Sequence, residues 1–143
     1  MKFLYFTFAL VFSVLATQAQ TKDAIVGVWQ NPTGEARIQI YKQADSFFGK
    51  IIWLKEPTKD GEPKTDSNNP DPSLTSQPIM GLQLLRNFKY KGNNLWEDGT
   101  IYDPKSGNTY SCKITAVGND KIDIRGYIGI SLLGRSETWV RVK

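Results

Sequence analysis

Residues 95–117 read LWEDGTIYDPKSGNTYSCKITAV and decide the fold, because two strand patterns meet there at a single turn. In the centre, residues 103–107 (Asp-Pro-Lys-Ser-Gly) place proline at a type I turn position and glycine where a positive φ is needed. Beyond the turn, apolar and polar side chains alternate along 108–117, which is typical of a strand with one buried face. The side chains that share this apolar face are Tyr110, Cys112 and Ile114. The segment therefore predicts an antiparallel β-hairpin.

Six further segments have the composition or the alternation of strands, and short polar turns join most of them. These segments are 25–30, 35–41, 47–54, 84–90, 121–125 and 136–142. Eight consecutive antiparallel strands leave no free edge when they close into an up-and-down barrel. We therefore predict an all-β, eight-stranded antiparallel barrel, with a two-sheet β-sandwich as the alternative. The interior of such a barrel is either filled by its own side chains or holds one small ligand.

One connection is unlike the others, because residues 55–78 contain five of the seven prolines and a single large aliphatic side chain, Leu74. Proline lacks a backbone donor, which excludes a helix or a central strand here. Loops of this length are commonly lids, binding loops or mobile segments, and we expect a mobile one. The next residues, 79–85, are compatible with a short helical turn. The prediction is one barrel domain, 20–143, that includes this long loop.

The first residues have the order of a secretory signal peptide. Lys2 is followed by an apolar run from Phe3 to Leu15 and then by Ala-Thr-Gln-Ala at 16–19. The apolar run is shorter than the roughly 20 residues that span a bilayer, and no later segment is apolar enough to do so. We expect cleavage after Ala19, no transmembrane segment, and a mature protein in the periplasm or outside the cell.

Composition argues against several classes of protein. The chain has one cysteine, Cys112, and no histidine, which excludes an internal disulfide, the usual Ser-His and Cys-His hydrolases, and histidine-based metal sites. Its net charge is +4, and the charges are interspersed rather than clustered, which argues against nucleic acid as a partner. The acidic residues between 60 and 71 miss the spacing of a calcium loop and are expected to be solvated. We expect no metal and no cofactor, and we expect Cys112 to be a buried, unreactive thiol.

The first and last strands carry a recognisable pair of motifs. Gly27-Val28-Trp29 opens the first strand, and Arg141 stands on the last. In this respect the chain resembles the lipocalin-like (calycin) barrels, in which an arginine or lysine of the last strand crosses the indole of a Gly-x-Trp motif. A cation over a tryptophan face stabilises by about 0.5–2 kcal/mol. The resemblance implies that Gly27, Trp29 and Arg141 close one end of the barrel and are structural.

A more specific resemblance covers nearly the whole mature chain. It rests on IYDP at 101–104, on RGYIGISLLGRS at 125–136 and on TW at 138–139, with WL at 53–54 and NPDP at 69–72 upstream. On these residues the chain resembles an exported bacterial family, domain of unknown function 2147. The resemblance implies a small envelope protein and brings no catalytic residues with it.

The glycine-spaced apolar stretch from Arg125 to Glu137 has two interpretations. It is either an apolar rim over the barrel mouth, with Arg125 or Arg135 meeting an anionic head group, or a long hairpin whose charges are solvated. For a ligand-binding barrel, the residues that we expect to contact the ligand are Trp53, Tyr110, Tyr127 and Arg135.

Three functions follow from these observations. The leading one is a non-enzymatic binder of a small apolar or amphipathic, lipid-like molecule. The second is a structural or interaction protein of the envelope, with a filled barrel and a protein partner. The least favoured is an enzyme that pairs Asp103 with a second carboxylate, namely Glu97, Asp98 or Glu137. Asp103 is explained more simply as the residue that starts the turn.

Overall fold

The predicted strands are present in the computed structural model, which describes residues 22–143 apart from the side chain of Ser131. The signal peptide predicted at 1–19 lies outside the described residues. Within 22–143, no helix has the length and hydrophobicity needed to cross a bilayer. The strands are β1 (Gly27–Gln30), β2 (Ala36–Gln43), β3 (Ser46–Leu54), β4 (Thr58–Lys59), β5 (Glu62–Pro63), β6 (Gln83–Gly92), β7 (Leu95–Asp103), β8 (Asn108–Val117), β9 (Lys121–Tyr127) and β10 (Arg135–Arg141). Short 3-10 helices span Pro72–Leu74 and Ser131–Leu133.

The eight long strands form one closed antiparallel barrel in the order β1-β10-β9-β8-β7-β6-β3-β2. Each barrel strand pairs with the next barrel strand along the chain, and the ring is completed where β1 pairs with β10, with Trp29 opposite Arg141. The predicted up-and-down barrel is confirmed, and the two-sheet sandwich is excluded.

The two ends of the barrel differ in their connections. At one end, which we call the closed end, tight turns at 44–45, 93–94 and 118–120 join the strands. Asn93 and Asn94 both have positive φ, 52° and 58°, as a two-residue hairpin turn of the primed type requires. At the other end, the open end, lie the four longer connections, 31–35, 55–82, 104–107 and 128–134.

Large side chains fill the closed end. Trp96 lies edge-on to Phe47, with ring centroids 6.4 Å apart, and 4.9 Å from the Tyr90 ring. The residues before β1 pack against these rings, because the backbone carbonyl of Lys22 accepts a hydrogen bond from the Trp96 indole at 3.2 Å. The largest fully buried side chains of the protein are Trp29, Trp96, Phe47 and Phe88. The closed half of the barrel is therefore filled by core side chains.

Residues 55–82, which we call the cover segment, have more structure than the expected mobile loop. Strands β4 and β5 form a small hairpin whose turn residues, Asp60 and Gly61, have φ of 53° and 80°. Further along, Thr65 and Pro78 form a β-bridge. The helical turn expected at 79–85 was wrong: the Leu82 amide donates to the Ile79 carbonyl at 3.0 Å and closes a β-turn, in which Gly81 has a φ of 86°, and β6 follows directly. The cover segment therefore follows a defined, hydrogen-bonded path.

Candidate binding cavity

The open end of the barrel contains a cavity of about 1810 Å³, including its mouth. This volume exceeds the roughly 300–1000 Å³ of ordinary small-molecule sites. The floor is apolar and comes from five strands of the barrel wall; its side chains include Ile38, Ile51, Ile101, Ile124 and Trp139. Charged and polar residues of three connections, 31–35, 55–82 and 104–107, surround the mouth, and the fourth connection, 128–134, contributes Ile128, Leu133 and Gly134. The arrangement is a deep apolar space with a polar entrance.

Strand β10 contributes two charged groups to the lining of the cavity. Arg135, Glu137 and Trp139 all line the cavity, because alternate residues of a strand share a face. The Trp139 indole donates to the Glu137 carboxylate at 3.1 Å, which holds that carboxylate at the edge of the apolar floor. Among the described residues, the Arg135 side chain has no hydrogen bond or ion pair, so its guanidinium is free to meet a ligand.

Three of the four residues expected to contact a ligand lie on this cavity: Tyr110, Tyr127 and Arg135. The prediction for the fourth residue, Trp53, was wrong, because Trp53 does not line the cavity. Strict alternation from Ile51 predicts an inward Trp53, but the pairing of β2 with β3 shifts by one residue, so that Ile38 faces Ile51 and Arg37 faces Trp53. This β-bulge turns Trp53 away from the cavity, and the Arg37 guanidinium covers its ring at 4.6 Å. Nothing in the local composition indicates the bulge.

An ion pair crosses the mouth of the cavity. The Lys105 ammonium lies 2.9 Å from the Glu35 carboxylate, and the two connections that carry them are separated by four strands in either direction round the barrel. The hydrogen bond and charge of Lys105 lower the pKa of Glu35, and Glu35 raises the pKa of Lys105 in turn. Both side chains are more than half exposed, so the pair adds little to stability. The pair therefore divides the mouth, with β1, β10, β9 and β8 on one side of it and β2, β3, β6 and β7 on the other.

A buried carboxylate attaches the cover segment to the barrel. Asp66 is fully buried, and it accepts hydrogen bonds from the Tyr102 hydroxyl at 2.7 Å, from Asn69 at 2.8 Å and from Gln77 at 3.1 Å. The expectation of a solvated Asp66 was therefore wrong. Its partner Tyr102 stands 36 positions later in the sequence, so no local pattern could reveal the contact.

The turn at 103–107 is the second attachment point of the cover segment. Asn68 donates to the carbonyls of Pro104 and Lys105 at 3.3 and 3.0 Å. A Cβ on Gly107 would collide with the Asn68 carbonyl oxygen, so this glycine is required both for its φ of 76° and for the close approach of the cover segment. The turn thus fixes one wall of the mouth.

The Asp66–Tyr102 contact predicts a pH dependence of stability. Burial, and then the hydrogen bond to Asp66, raise the pKa of Tyr102 from 10.0 to about 12. Because the folded state holds the phenol proton more tightly, this contribution is complete below the unfolded pKa and is lost as pH rises through about 12. We expect urea denaturation across this interval to show a steeper loss of stability in the parent protein than in Tyr102→Phe. Parallel pH profiles would contradict the assignment.

The closed end carries the motif predicted from the lipocalin-like pattern. The Arg141 guanidinium lies 4.3 Å from the centroid of the Trp29 ring and donates to the backbone carbonyls of Asn119, Val26 and Ala24 at 2.8, 3.1 and 2.6 Å. At Gly27, where φ is 143°, a Cβ would lie 2.5 Å from the Arg141 guanidinium. The glycine of the motif therefore makes space for the arginine.

Within residues 22–143, three of the four carboxylates considered for catalysis have other partners. Asp103 accepts hydrogen bonds from the Lys105 amide at 3.0 Å and the Ser106 hydroxyl at 2.9 Å, which is its role in the turn. Asp98 pairs with Lys91 at 2.7 Å, and Glu137 holds the Trp139 indole. Over residues 22–143, no cluster of three or more potential metal ligands occurs.

The single thiol is buried, as expected. Cys112 is fully buried in the barrel interior, and burial raises its pKa to about 12. A thiol with this pKa is protonated at neutral pH and is therefore a poor nucleophile.

The connection 128–134, which we call the rim loop, borders the same cavity. Ile128 and Leu133 line the cavity edge, yet the aliphatic side chains of this loop are the most exposed large ones described. The exposed fractions are 73% for Ile128, 58% for Ile130, 84% for Leu132 and 76% for Leu133. An apolar cluster of this kind at the surface is typical of a contact site.

Comparison with known proteins agrees with this description. The profile of a family described as "Uncharacterized protein conserved in bacteria (DUF2147)" matches residues 27–141, the whole barrel. Among solved structures, the chain is similar to protein HP1028 from the human pathogen Helicobacter pylori, described as belonging to the lipocalin family. The two chains are 20% identical, with a TM-score of 0.74 over 83% of each chain, a similarity that shows the fold alone. A search of curated protein sequences gives no match. Both resemblances predicted from the sequence are confirmed.

Proposed function

The chain belongs to the DUF2147 family of bacterial proteins, and from the geometry of its cavity we propose that it is an exported, non-enzymatic binding protein of the periplasm or the extracellular space. Its ligand is a small apolar or amphipathic molecule held in the open end of the barrel. The order of residues 1–19 supports export. The observation that carries the proposal is the cavity itself, which has an apolar floor and a charged entrance in a barrel whose other half is filled.

The distribution of polarity favours an amphipathic ligand over a purely apolar one. An acyl or similar chain on the floor would contact Ile38, Ile51 and Ile124, which already form part of the core cluster. A carboxylate or phosphate at the entrance would reach Arg135, and charge-assisted hydrogen bonds of this kind are among the strong ones. Tyr110 and Tyr127 offer flat rings and hydroxyl groups between the two regions.

Two observations support a binding role rather than catalysis. Three of the carboxylates that line the cavity are engaged: Asp103 in the turn, Glu137 with the Trp139 indole and Glu35 with Lys105. The chain has no histidine, the commonest general acid and base of enzymes. The alternative of an envelope interaction protein with a filled barrel predicts a core without a cavity, which fits the closed half of the barrel but not the open half.

Mass spectrometry of the purified, exported protein tests the proposal. We expect the native mass to exceed the denatured mass by that of a bound molecule, which can then be extracted and identified. If the native and denatured masses agree, and if the delipidated protein shows no saturable binding of a fluorescent fatty acid, the cavity is not a ligand site and the proposal fails.

Replacing Arg135 with methionine tests which end of the ligand lies at the entrance. We expect Arg135→Met to weaken binding of a fatty-acid probe about tenfold to a hundredfold, since a hydrogen bond to a charged group is lost. Binding of the fatty alcohol of the same length should change little. Trp53→Ala is the matched control, because Trp53 lies outside the cavity and should leave both affinities unchanged. If Arg135→Met weakens binding of the acid and of the alcohol equally, the head group does not contact Arg135.

A further inference from the structure

We propose that the rim loop is a membrane-docking site, which places the mouth of the cavity against the surface of an anionic lipid bilayer. Four aliphatic side chains occur within six consecutive residues, Ile128 to Leu133, and each is more than half exposed. Side chains exposed to this extent form a projecting tip rather than a groove. Such a tip suits the fluid acyl–headgroup boundary of a bilayer better than the shaped surface of a protein partner.

The charges beside the rim loop favour an anionic surface. Arg125 and Arg135 flank the loop, and residues 124–136 contain no aspartate or glutamate. Arg125 donates to the Ser136 hydroxyl at 2.8 Å, which positions its cation on the barrel wall beside the loop. Elsewhere round the mouth, lysines and carboxylates alternate and largely offset one another. Each basic residue near an anionic membrane adds about 1 kcal/mol of attraction.

The loop also connects the outer surface with the cavity. Ile128 and Leu133 line the cavity edge as well as contributing to the exposed tip, so the apolar surface is continuous from the tip to the interior. The Glu35–Lys105 pair crosses the middle of the mouth, and the rim loop lies on the side of β9 and β10. A lipid-like molecule could pass between bilayer and barrel along this path without entering water. In this respect the inference rests on the proposed binding function, whereas the docking chemistry does not depend on it.

Vesicle co-sedimentation of the purified, exported protein tests the inference, with phosphatidylcholine vesicles prepared with and without phosphatidylglycerol. We expect binding to the vesicles that contain phosphatidylglycerol, weakened by added salt. The double variant L132N/L133N should lower the partition coefficient at least about tenfold, because two inserting side chains are lost. Val117→Asn is the matched control, since Val117 is an exposed aliphatic residue at the closed end. Neither substitution removes core packing, so thermal denaturation should verify that both variants fold.

Three outcomes would overturn the inference. The parent protein could fail to bind either kind of vesicle, or the double variant could bind as tightly as Val117→Asn. Sedimentation velocity could instead show that the parent self-associates and that L132N/L133N abolishes this, which would make a second copy of the chain the occupant of the loop. Probe binding measured without vesicles separates the two proposals. If the protein binds vesicles but not the probe, the docking site stands and the cavity function is rejected. If it binds the probe but not vesicles, only the docking site is rejected.

Discussion

Replacing Arg141 with methionine is expected to lower the free energy of unfolding by about 2–4 kcal/mol. The guanidinium covers the Trp29 ring and donates to three backbone carbonyls, two of which belong to the segment before β1. Methionine keeps much of the aliphatic volume, but it leaves these carbonyls without their donor. The loss should appear as a lower midpoint in urea denaturation, with loosening of the closed end.

Arg135→Met is the control for that experiment. Arg135 stands on the same strand and the same face as Arg141, but its side chain makes no hydrogen bond or ion pair among residues 22–143. Its replacement should change stability by no more than about 0.5 kcal/mol. This result would show that Arg141 stabilises the closed barrel, whereas Arg135 contributes to ligand binding and not to stability. Equal effects on stability would contradict this division.

Asp66→Ala is expected to lower the free energy of unfolding by about 2–4 kcal/mol. The substitution removes the buried acceptor shared by the Tyr102 hydroxyl, Asn69 and Gln77, and it leaves three donors to be satisfied by water. Because these contacts attach the cover segment to the barrel, cleavage by a nonspecific protease should move into residues 55–82. The parent protein should resist cleavage there.

Asp71→Ala in the same segment is the matched control. Asp71 is exposed and caps the short 3-10 helix by accepting from the Ser73 amide at 3.0 Å and the Ser73 hydroxyl at 2.7 Å. Its loss should cost less than about 1 kcal/mol and should leave the cover segment in place. If Asp71→Ala and Asp66→Ala open the segment equally, the buried carboxylate is not what holds it.

The features that could be predicted from the sequence are those specified by neighbouring residues. The alternation in 108–117 and the turn chemistry at 103–107 gave the hairpin, and repetition of such units gave the barrel. Tyr110 could be placed on the interior face because β8 alternates without interruption. The hairpin of the cover segment also has a local signal, since Asp-Gly at 60–61 is typical of a hairpin turn, but the surrounding prolines favour an irregular loop.

The features that could not be predicted depend on partners distant in sequence or on a shifted register. Trp53 faces outward because β3 gains one residue against β2, and a single strand does not report how its neighbour pairs. Asp66 stands in a polar run that resembles any solvated loop, and only the folded barrel brings Tyr102 to it. The size of the cavity also depends on residues distant in sequence, because the distances between four connections at the open end determine it.

The attachment of the last strand to the residues before the first has a consequence for the order of folding. Arg141 binds carbonyls that lie 115 and 117 positions earlier in the chain, so these contacts bridge almost the full length of the domain. Contacts of such sequence separation form late and slow the overall rate, because the whole intervening chain must be ordered first. Until β10 has been synthesised, the barrel lacks the strand that pairs with β1 and stays open. Closure of the barrel therefore follows synthesis of its last strand.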